Sequence, residues 1–343
     1  MSSFSVVVPN YNYGRYLDSC LNSILSQQVD LRVLLIDNAS TDDSVSIAER
    51  IARRDPRVTI RCHEKNLGLI ASLNEGVAWA SGTYFAQVSS DDRLTPGALD
   101  RAGALLDAHP RVGFVYGRPV QFADDASLPK ARSRSGGWSV RAGQAWLARR
   151  CREAHSVLSQ PEATARTSLV HEMGGYDSRL PHTSDLEYFL RLAARADVGY
   201  LRGSDQAFYR VHGSNMSSGY YKGYLGDLQG RWDAFSSLVE KDAALLADAE
   251  RLQQAAAKTL AREALWRLCR AYDKRTVGLP AEELEAFAYR IYPRADTLRE
   301  HRALELRRRS KSYAELVRRA PAEAALRRGR YELWQRRWQL NGE

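Results

Sequence analysis

Three features of this 343-residue sequence predict an α/β fold, with a mostly parallel central sheet covered by helices and an all-helical C-terminal appendage. Short runs rich in Val, Ile and Leu alternate with segments of helical length from Phe4 to Tyr116. The residues that follow several of these runs are polar and acidic, as expected at the ligand-binding edge of an open sheet. From about Tyr224 onward no run has strand character, and Ala, Leu, Arg and Glu dominate. Two regions are therefore expected, 1–220 and 221–343.

The strand runs are Phe4–Val8, Val33–Ile36, Val58–Arg61, Tyr84–Val88 and Gly113–Tyr116. Between them, Tyr16–Leu25, Ser44–Ala52, Ile70–Ala80 and Pro96–Ala108 repeat apolar residues at steps of three and four, the period of a helix with one buried face. Asp42 and Asp43 precede the second helix and Thr95-Pro96 opens the fourth, while Ser81-Gly82 and His109-Pro110 mark the ends of the third and fourth. Ala123–Gly137 is polar and reads as a surface loop. Ordered patterning returns at Thr164–Met173, as a helix at Ser184–Arg195 and as a strand at Gln206–Val211. The later helices are broken near Gly278-Leu279-Pro280 and at Pro293.

Composition narrows the function classes. With 44% hydrophobic and 27% charged residues the chain can bury a core, which argues against disorder. No apolar run approaches the ~18 residues that span a bilayer, and the N-terminus lacks the basic start of a signal peptide, so a cytosolic protein is expected. Cys20, Cys62, Cys151 and Cys269 are scattered and form neither a zinc motif nor a disulfide pattern. The formal charge of +9 is concentrated at the end, where 294–337 holds 14 Lys or Arg against 6 Asp or Glu.

The chemistry is expected at the strand ends. Pro9-Asn10-Tyr11-Asn12 follows the first strand, Asp37-Asn38-Ala39-Ser40-Thr41-Asp42 the second, and Ser89-Ser90-Asp91-Asp92 the fourth. Carboxylates gathered on one edge repel each other unless a cation or hydrogen-bond donors compensate. Hard oxygen donors such as Asp91 and Asp92 suit Mg2+ or Mn2+, ions whose open positions substrate phosphates fill. A nucleoside diphosphate fits that description. Neither the glycine fingerprint of dinucleotide-binding folds nor a P-loop occurs.

These motifs, together with Asn66-Leu67-Gly68, Leu73-Asn74-Glu75-Gly76, Gly174-Gly175-Tyr176-Asp177, Ser184-Asp185-Leu186-Glu187 and Tyr209-Arg210-Val211-His212, resemble glycosyltransferase family 2 from about Ser5 to Ser217. The resemblance implies the GT-A fold and inverting transfer from a nucleotide-sugar donor, with UDP the expected nucleotide. It implies that Pro9, Tyr11, Asn12, Asp37, Asn66 and Ser90 hold the nucleotide, with Asp37 accepting hydrogen bonds from the base and Asp42 shaping its turn. Asp91 matches the metal-binding acid and Asp92 the acid beside it, while His212 falls near the diphosphate and metal, and His212 or Arg210 would help the metal stabilise the departing diphosphate. Asp185 matches the general base. The sequence departs from the family pattern at Ser89, where the first acid of the metal motif is replaced by a residue without charge.

Other readings stand beside these. Asp37, Asp42 and Asp185 occupy positions where turn-forming or helix-capping acids are common, and His212 could be a loop histidine. Glu162 and His182 lie between the metal motif and the expected base, and either could face the acceptor. Trp138 could stack on a sugar or anchor its loop. In the basic tail, Leu316, Val317, Tyr331, Trp334 and Trp338 recur at helical steps among arginines. That pattern suits an anionic membrane surface, which the resemblance implies would be the inner membrane face, or packing on the body or a partner subunit. No nucleic-acid reader motif accompanies the charge. The resemblance further implies a glycan or lipid-linked acceptor in bacterial surface polysaccharide synthesis. A catalytically silent nucleotide-sugar-binding scaffold is the alternative that Ser89 keeps open.

Overall fold

The computed structural model describes residues 2–134, 136–213, 224–274, 276, 278–309, 329, 332–333 and 342. Its strands are β1 (Ser3–Asn10), β2 (Asp30–Asp37), β3 (Val58–Cys62), β4 (Tyr84–Gln87), β5 (Arg93–Leu94), β6 (Val112–Phe122), β7 (Trp138–Arg141), β8 (Ala163–Arg166) and β9 (Asp197–Arg210). The helices are α1 (Gly14–Leu25), α2 (Ser44–Ala52), α3 (Leu69–Trp79), α4 (Ala98–Ala108), α5 (Gly143–Glu153), α6 (Thr167–Met173), α7 (Ser184–Arg195), α8 (Tyr224–Asp242), α9 (Ala249–Lys274), α10 (Ala281–Ile291) and α11 (Arg299–Arg309).

One sheet runs in the order β3-β2-β1-β4-β8-β6-β9-β5, with β7 also paired to β9. β1 to β4 are parallel, so the chain leaves each of them at the same edge. β8 runs antiparallel between β4 and β6. Alternation along β1 divides its apolar residues between two layers. Phe4, Val6 and Val8 pack with Leu17 and Leu21 of α1 and Leu99 and Leu105 of α4. Val7 faces the other layer with Leu73 and Val77 of α3. Burial on both faces explains why these strands read as unbroken apolar runs. α3 lies so close to β1 that a Cβ on Gly76 would stand 2.4 Å from Val7 Cγ1.

The second layer also holds the C-terminal helices. Leu228, Phe235 and Leu238 of α8 and Leu260, Ala264 and Leu265 of α9 belong to one apolar cluster with Phe114, Trp146 and Phe189. The expected division at residue 220 falls within 214–223, outside the described residues. Most of the basic tail, including Leu316, Val317, Tyr331, Trp334 and Trp338, also lies outside them. Of its described residues, Arg307 is tied to Asp273 at 2.9 Å and Arg308 to Glu285.

The structure differs from sequence expectation in the second half of the sheet. β6 continues to Phe122 and β9 begins at Asp197, because the two pair with each other across bulged registers that interrupt the apolar alternation. β5 is only two residues long and owes its strand character to pairing with β9, a tertiary cause. Trp138 lies on β7, its ring edge-on to His109 at 5.5 Å, which anchors it to the body.

Candidate active site

At the shared edge of β1, β2 and β4 the emerging turns are cross-tied. Asn12 and Ala39 both have positive φ, 56° and 62°, which folds the two turns back on each other. Ser40 Oγ accepts from Asn12 N at 2.8 Å, and Thr41 N donates to Asn12 Oδ1 at 2.7 Å. Asp42 accepts from Gly14 N and Ser44 N, one at the start of α1 and one at the start of α2. Slight burial works against the charged Asp42 carboxyl, but these hydrogen bonds hold it below the usual range. Asp37 is 1% exposed, and its two oxygens accept from Asn10 Nδ2 and Ser40 N, both at 2.8 Å. The Asp37 carboxylate lies beneath the turn it organises and is not among the cleft-lining residues. Asn38, the next residue, lines the cleft instead.

After β4, Asp92 N donates to Ser89 O at 2.9 Å, closing a turn that presents Ser89, Ser90, Asp91 and Asp92 to the cleft. Asp92 Oδ1 accepts from Arg210 N, and Arg210 Nε donates to Asp91 O, both at 2.8 Å. The buried Arg210 guanidinium lies 4.3 Å from the ring centroids of Tyr16 and of Phe122 and pairs with Asp125 at 2.8 Å. Arg210 therefore braces the acidic turn from behind and is not among the cleft-lining residues. Burial, and then the Asp91 charge, raises the Asp92 carboxyl well above the usual range. His212 Nε2 lies 3.0 Å from Asp91 Oδ2, and its ring is flanked by Tyr13 and Tyr16 with centroids at 5.5 Å.

The cleft, about 1500 Å3, continues from Asn66 and Pro9 past Asp91 to Asp185 at the start of α7. Asp185 Oδ1 accepts from Leu186 N at 2.7 Å, and burial pushes its carboxyl above the usual range. Glu162 is buried behind this wall and does not line the cleft. Its Oε1 accepts from Ser159 N at 2.5 Å, and its Oε2 has no hydrogen-bond partner among the described residues. Burial raises Glu162 to about 7, with the Asp185 charge adding to the effect. His182 lines the cleft 3.7 Å from Asp227.

The far wall was not apparent from the sequence. Asp227 and Arg231 of α8 and Glu263 and Arg267 of α9 line it, with Arg231 pairing to Asp227 at 2.8 Å and to Glu263 at 3.0 Å. Their i,i+4 spacing is the ordinary pattern of a solvated helix face, so only their placement marks them. Tyr13, Gln87 and Asn38 were likewise missed as lining residues, although Asn38 sits within the motif after β2.

Residues 5–169 match the glycosyl transferase family 2 model. This stretch belongs to glycosyltransferase family 2. The family 2 match covers the acidic turn after β4 but ends before Asp185 and His212. Among curated relatives, the chondroitin synthase of Pasteurella multocida is 25% identical over 217 residues, covering 62% of this chain and 21% of that protein. The uncharacterized glycosyltransferase EpsJ of Bacillus subtilis is 35% identical over 169 residues, 49% of this chain and 43% of that protein. The chain thus spans less than half the length of either relative. Residues 1–349 of S. aureus TarS, solved in complex with UDP-GlcNAc, superpose with a TM-score of 0.63 at 19% identity, covering 89% of this chain and 85% of that one. The mannosyltransferase PcManGT of Pyrobaculum calidifontis, solved with GDP-Man and Mn2+, gives 0.53 at 20% identity, covering 92% and 85%. The shared architecture is the GT-A fold, to which this chain adds a helical C-terminal region.

Proposed function

We propose that this chain is an inverting glycosyltransferase that moves a sugar from a UDP-sugar to a hydroxyl of a glycan or lipid-linked acceptor, in bacterial surface polysaccharide synthesis. The observation that carries the reading is a single cleft with Asn38 and Asn66 at one end, Asp91 in the middle and Asp185 beyond it. Strands lie ~4.8 Å apart, so the turns after β2 and β3 stand roughly 10–14 Å from the turn after β4. A nucleoside diphosphate spans about that distance, with its base over β2 and β3 and its phosphates at Asp91. Pro9, Tyr11, Asn12 and Ser90 line the path between. The family match and the likeness to TarS and PcManGT support the donor class.

In this reading Asp185 takes the proton of the acceptor hydroxyl as its oxygen attacks the anomeric carbon from the face opposite the diphosphate, which inverts the configuration. The Asp185 position favours the task, since a carboxyl raised by burial is a stronger base than an ordinary aspartate once ionised. The acceptor would lie against the wall of His182, Asp227, Arg231 and Arg267, where alternating donors and acceptors suit a polyhydroxyl molecule. The 221–343 region would then be the acceptor side of the enzyme and 1–220 the donor side.

Asp91, which lines the cleft, and His212 beside it fit a divalent ion as one oxygen and one nitrogen donor 3.0 Å apart. Among the described residues no group of three or more His, Cys, Asp or Glu could hold a metal ion, so diphosphate oxygens and waters would complete the shell. Bound there, Mn2+ or Mg2+ would stabilise the negative charge of the leaving diphosphate. Among the described residues no helix is long and apolar enough to cross a membrane. Any attachment to the inner membrane face would be peripheral, through the basic tail.

Calorimetric titration with UDP, GDP and dTDP, each with and without Mn2+, tests the donor site. UDP binding that strengthens with Mn2+ and loses that dependence in Asp91→Asn is expected. Asp185→Asn should lower kcat by about 10²–10⁴-fold and leave UDP affinity unchanged. Retained UDP binding without turnover on any acceptor would favour the scaffold reading.

A further inference from the structure

The far wall of the cleft carries fixed charges that cancel. Arg231 pairs with Asp227 at 2.8 Å and with Glu263 at 3.0 Å, while Arg267 pairs with Glu263 and lies 3.9 Å from Asp227. Each arginine thus meets both carboxylates, and the four side chains close a ring between α8 and α9 that has no net charge. Burial opposes ionisation of both carboxyls, but Arg231 and Arg267, with His182 beside Asp227, outweigh it and hold each below the usual carboxylate range. An anion entering here meets no uncompensated cation in the ring, because the two arginines already hold two carboxylates, and its desolvation goes unrepaid. It also meets Asp185, and over the whole lining carboxyl groups outnumber arginines by seven to three among the described residues.

Beside this ring stands an aromatic side chain that the core does not use. Tyr224, the first residue of α8, is 57% exposed, and the Arg267 guanidinium lies 4.1 Å from its ring centroid. The cation holds the ring next to the wall while most of the residue stays in solvent. An aromatic ring beside mutually neutralised hydrogen-bonding groups suits a pyranose, whose C–H face packs on the ring and whose hydroxyls both donate and accept. We infer that the acceptor sugar that docks on α8 and α9 is uncharged, stacked on Tyr224 and hydrogen-bonded to the Asp227–Arg231–Glu263–Arg267 ring, and that uronate and phosphate-bearing units are rejected there. Tyr224 is then a specificity-determining residue of the acceptor side. The inference rests on the glycosyltransferase reading, and it adds the charge class of the acceptor and the residues that select it.

Saturation-transfer NMR titration of the full chain, loaded with UDP and Mg2+, tests it with matched probes. These are the methyl glycosides of glucose, galactose and mannose, the methyl glycosides of the corresponding uronic acids, and glycerol phosphate. At least one neutral glycoside is expected to bind about tenfold more tightly than its uronate. Tyr224→Ala should weaken that binding several-fold, and Glu263→Gln, which leaves two arginines with one carboxylate, should narrow or reverse the preference for the neutral sugar. UDP affinity, expected to be unchanged, is the control for folding in both variants. Tighter binding of a uronate or of glycerol phosphate to the parent chain would overturn the assignment. So would neutral-sugar binding that Tyr224→Ala leaves intact, or a preference that Glu263→Gln does not move. UDP binding with no glycoside bound would overturn it while leaving the donor site standing, whereas absence of UDP binding would remove the nucleotide-sugar reading beneath it.

Discussion

At the scale of single residues, two carboxyl groups at the Asp185 end of the cleft have different environments and different consequences. Asp185 reaches the cleft wall, whereas Glu162 is sealed behind it with one oxygen unpartnered among the described residues. With Glu162 raised to about 7 from an ordinary 4.5, the native state keeps a proton that the unfolded chain releases. The stability this contributes is complete below about pH 4.5 and is lost as pH rises through 7. A shift of that size corresponds to roughly 3 kcal/mol. Thermal melts of the parent and of Glu162→Gln at pH 5 and pH 8 should show the parent losing more stability between the two, because the glutamine has no proton to release. A parallel pH dependence in both would refute this. The turn after β2 shows how far residue-level sequence reasoning reaches. Asp37 and Asn38 are adjacent and polar, and both belong to the same motif. Which of the two points into the cleft depends on the strand's alternation at its last residue and on the hydrogen bonds that Asn10 and Ser40 offer to Asp37.

At the scale of elements, α7 and α8 are joined by a buried ion network. Lys241 Nζ lies 2.7 Å from both Asp177 Oδ2 and Glu187 Oε1, and Asp242 pairs with Arg195 at 2.7 Å. Partial burial opposes ionisation of Asp177, but hydrogen bonds from Arg179 and Lys241 outweigh it and hold the carboxyl well below the usual range. Because α7 carries Asp185 and α8 carries Asp227 and Arg231, this network braces the two helices that wall the Asp185 end of the cleft. Lys241→Met should destabilise the chain by about 3 kcal/mol, since Glu187 would stay buried with the longer 3.4 Å contact to Arg191 and a 3.1 Å hydrogen bond from Ser237 Oγ in place of the close lysine. Denaturant unfolding measures that loss. The helix over Ser184–Arg195 was evident from its apolar period, but its pairing with a helix some forty residues later was not. Ion pairs leave no periodic trace in a sequence already rich in Arg and Glu.

At the scale of the whole molecule, the C-terminal helices complete the core. The layer containing Phe114 and Trp146 is closed by Leu228 and Leu238 of α8 and by Leu260 and Leu265 of α9. Leu260→Ala should therefore cost about 2–5 kcal/mol, the range for a fully buried leucine. Residues 1–220 produced alone should aggregate or bind a hydrophobic dye, having lost the cover of one sheet face. A monomeric 1–220 fragment with a cooperative melt near that of the full chain would show that the two regions fold independently.

The sequence by itself determined the parallel half of the sheet, its flanking helices and the polar edge at Pro9–Asn12, Asp37–Asp42 and Ser89–Asp92. Those features are local, since apolar period, turn residues and the order of motifs are all written within short windows. Only the tertiary structure decided that β6 and β9 extend and pair, that Asp37 and Arg210 brace the site from behind, and that α8 and α9 form its far wall. Each of those outcomes depends on residues distant in the chain meeting across the core. Burial and hydrogen-bond direction arise only at that meeting.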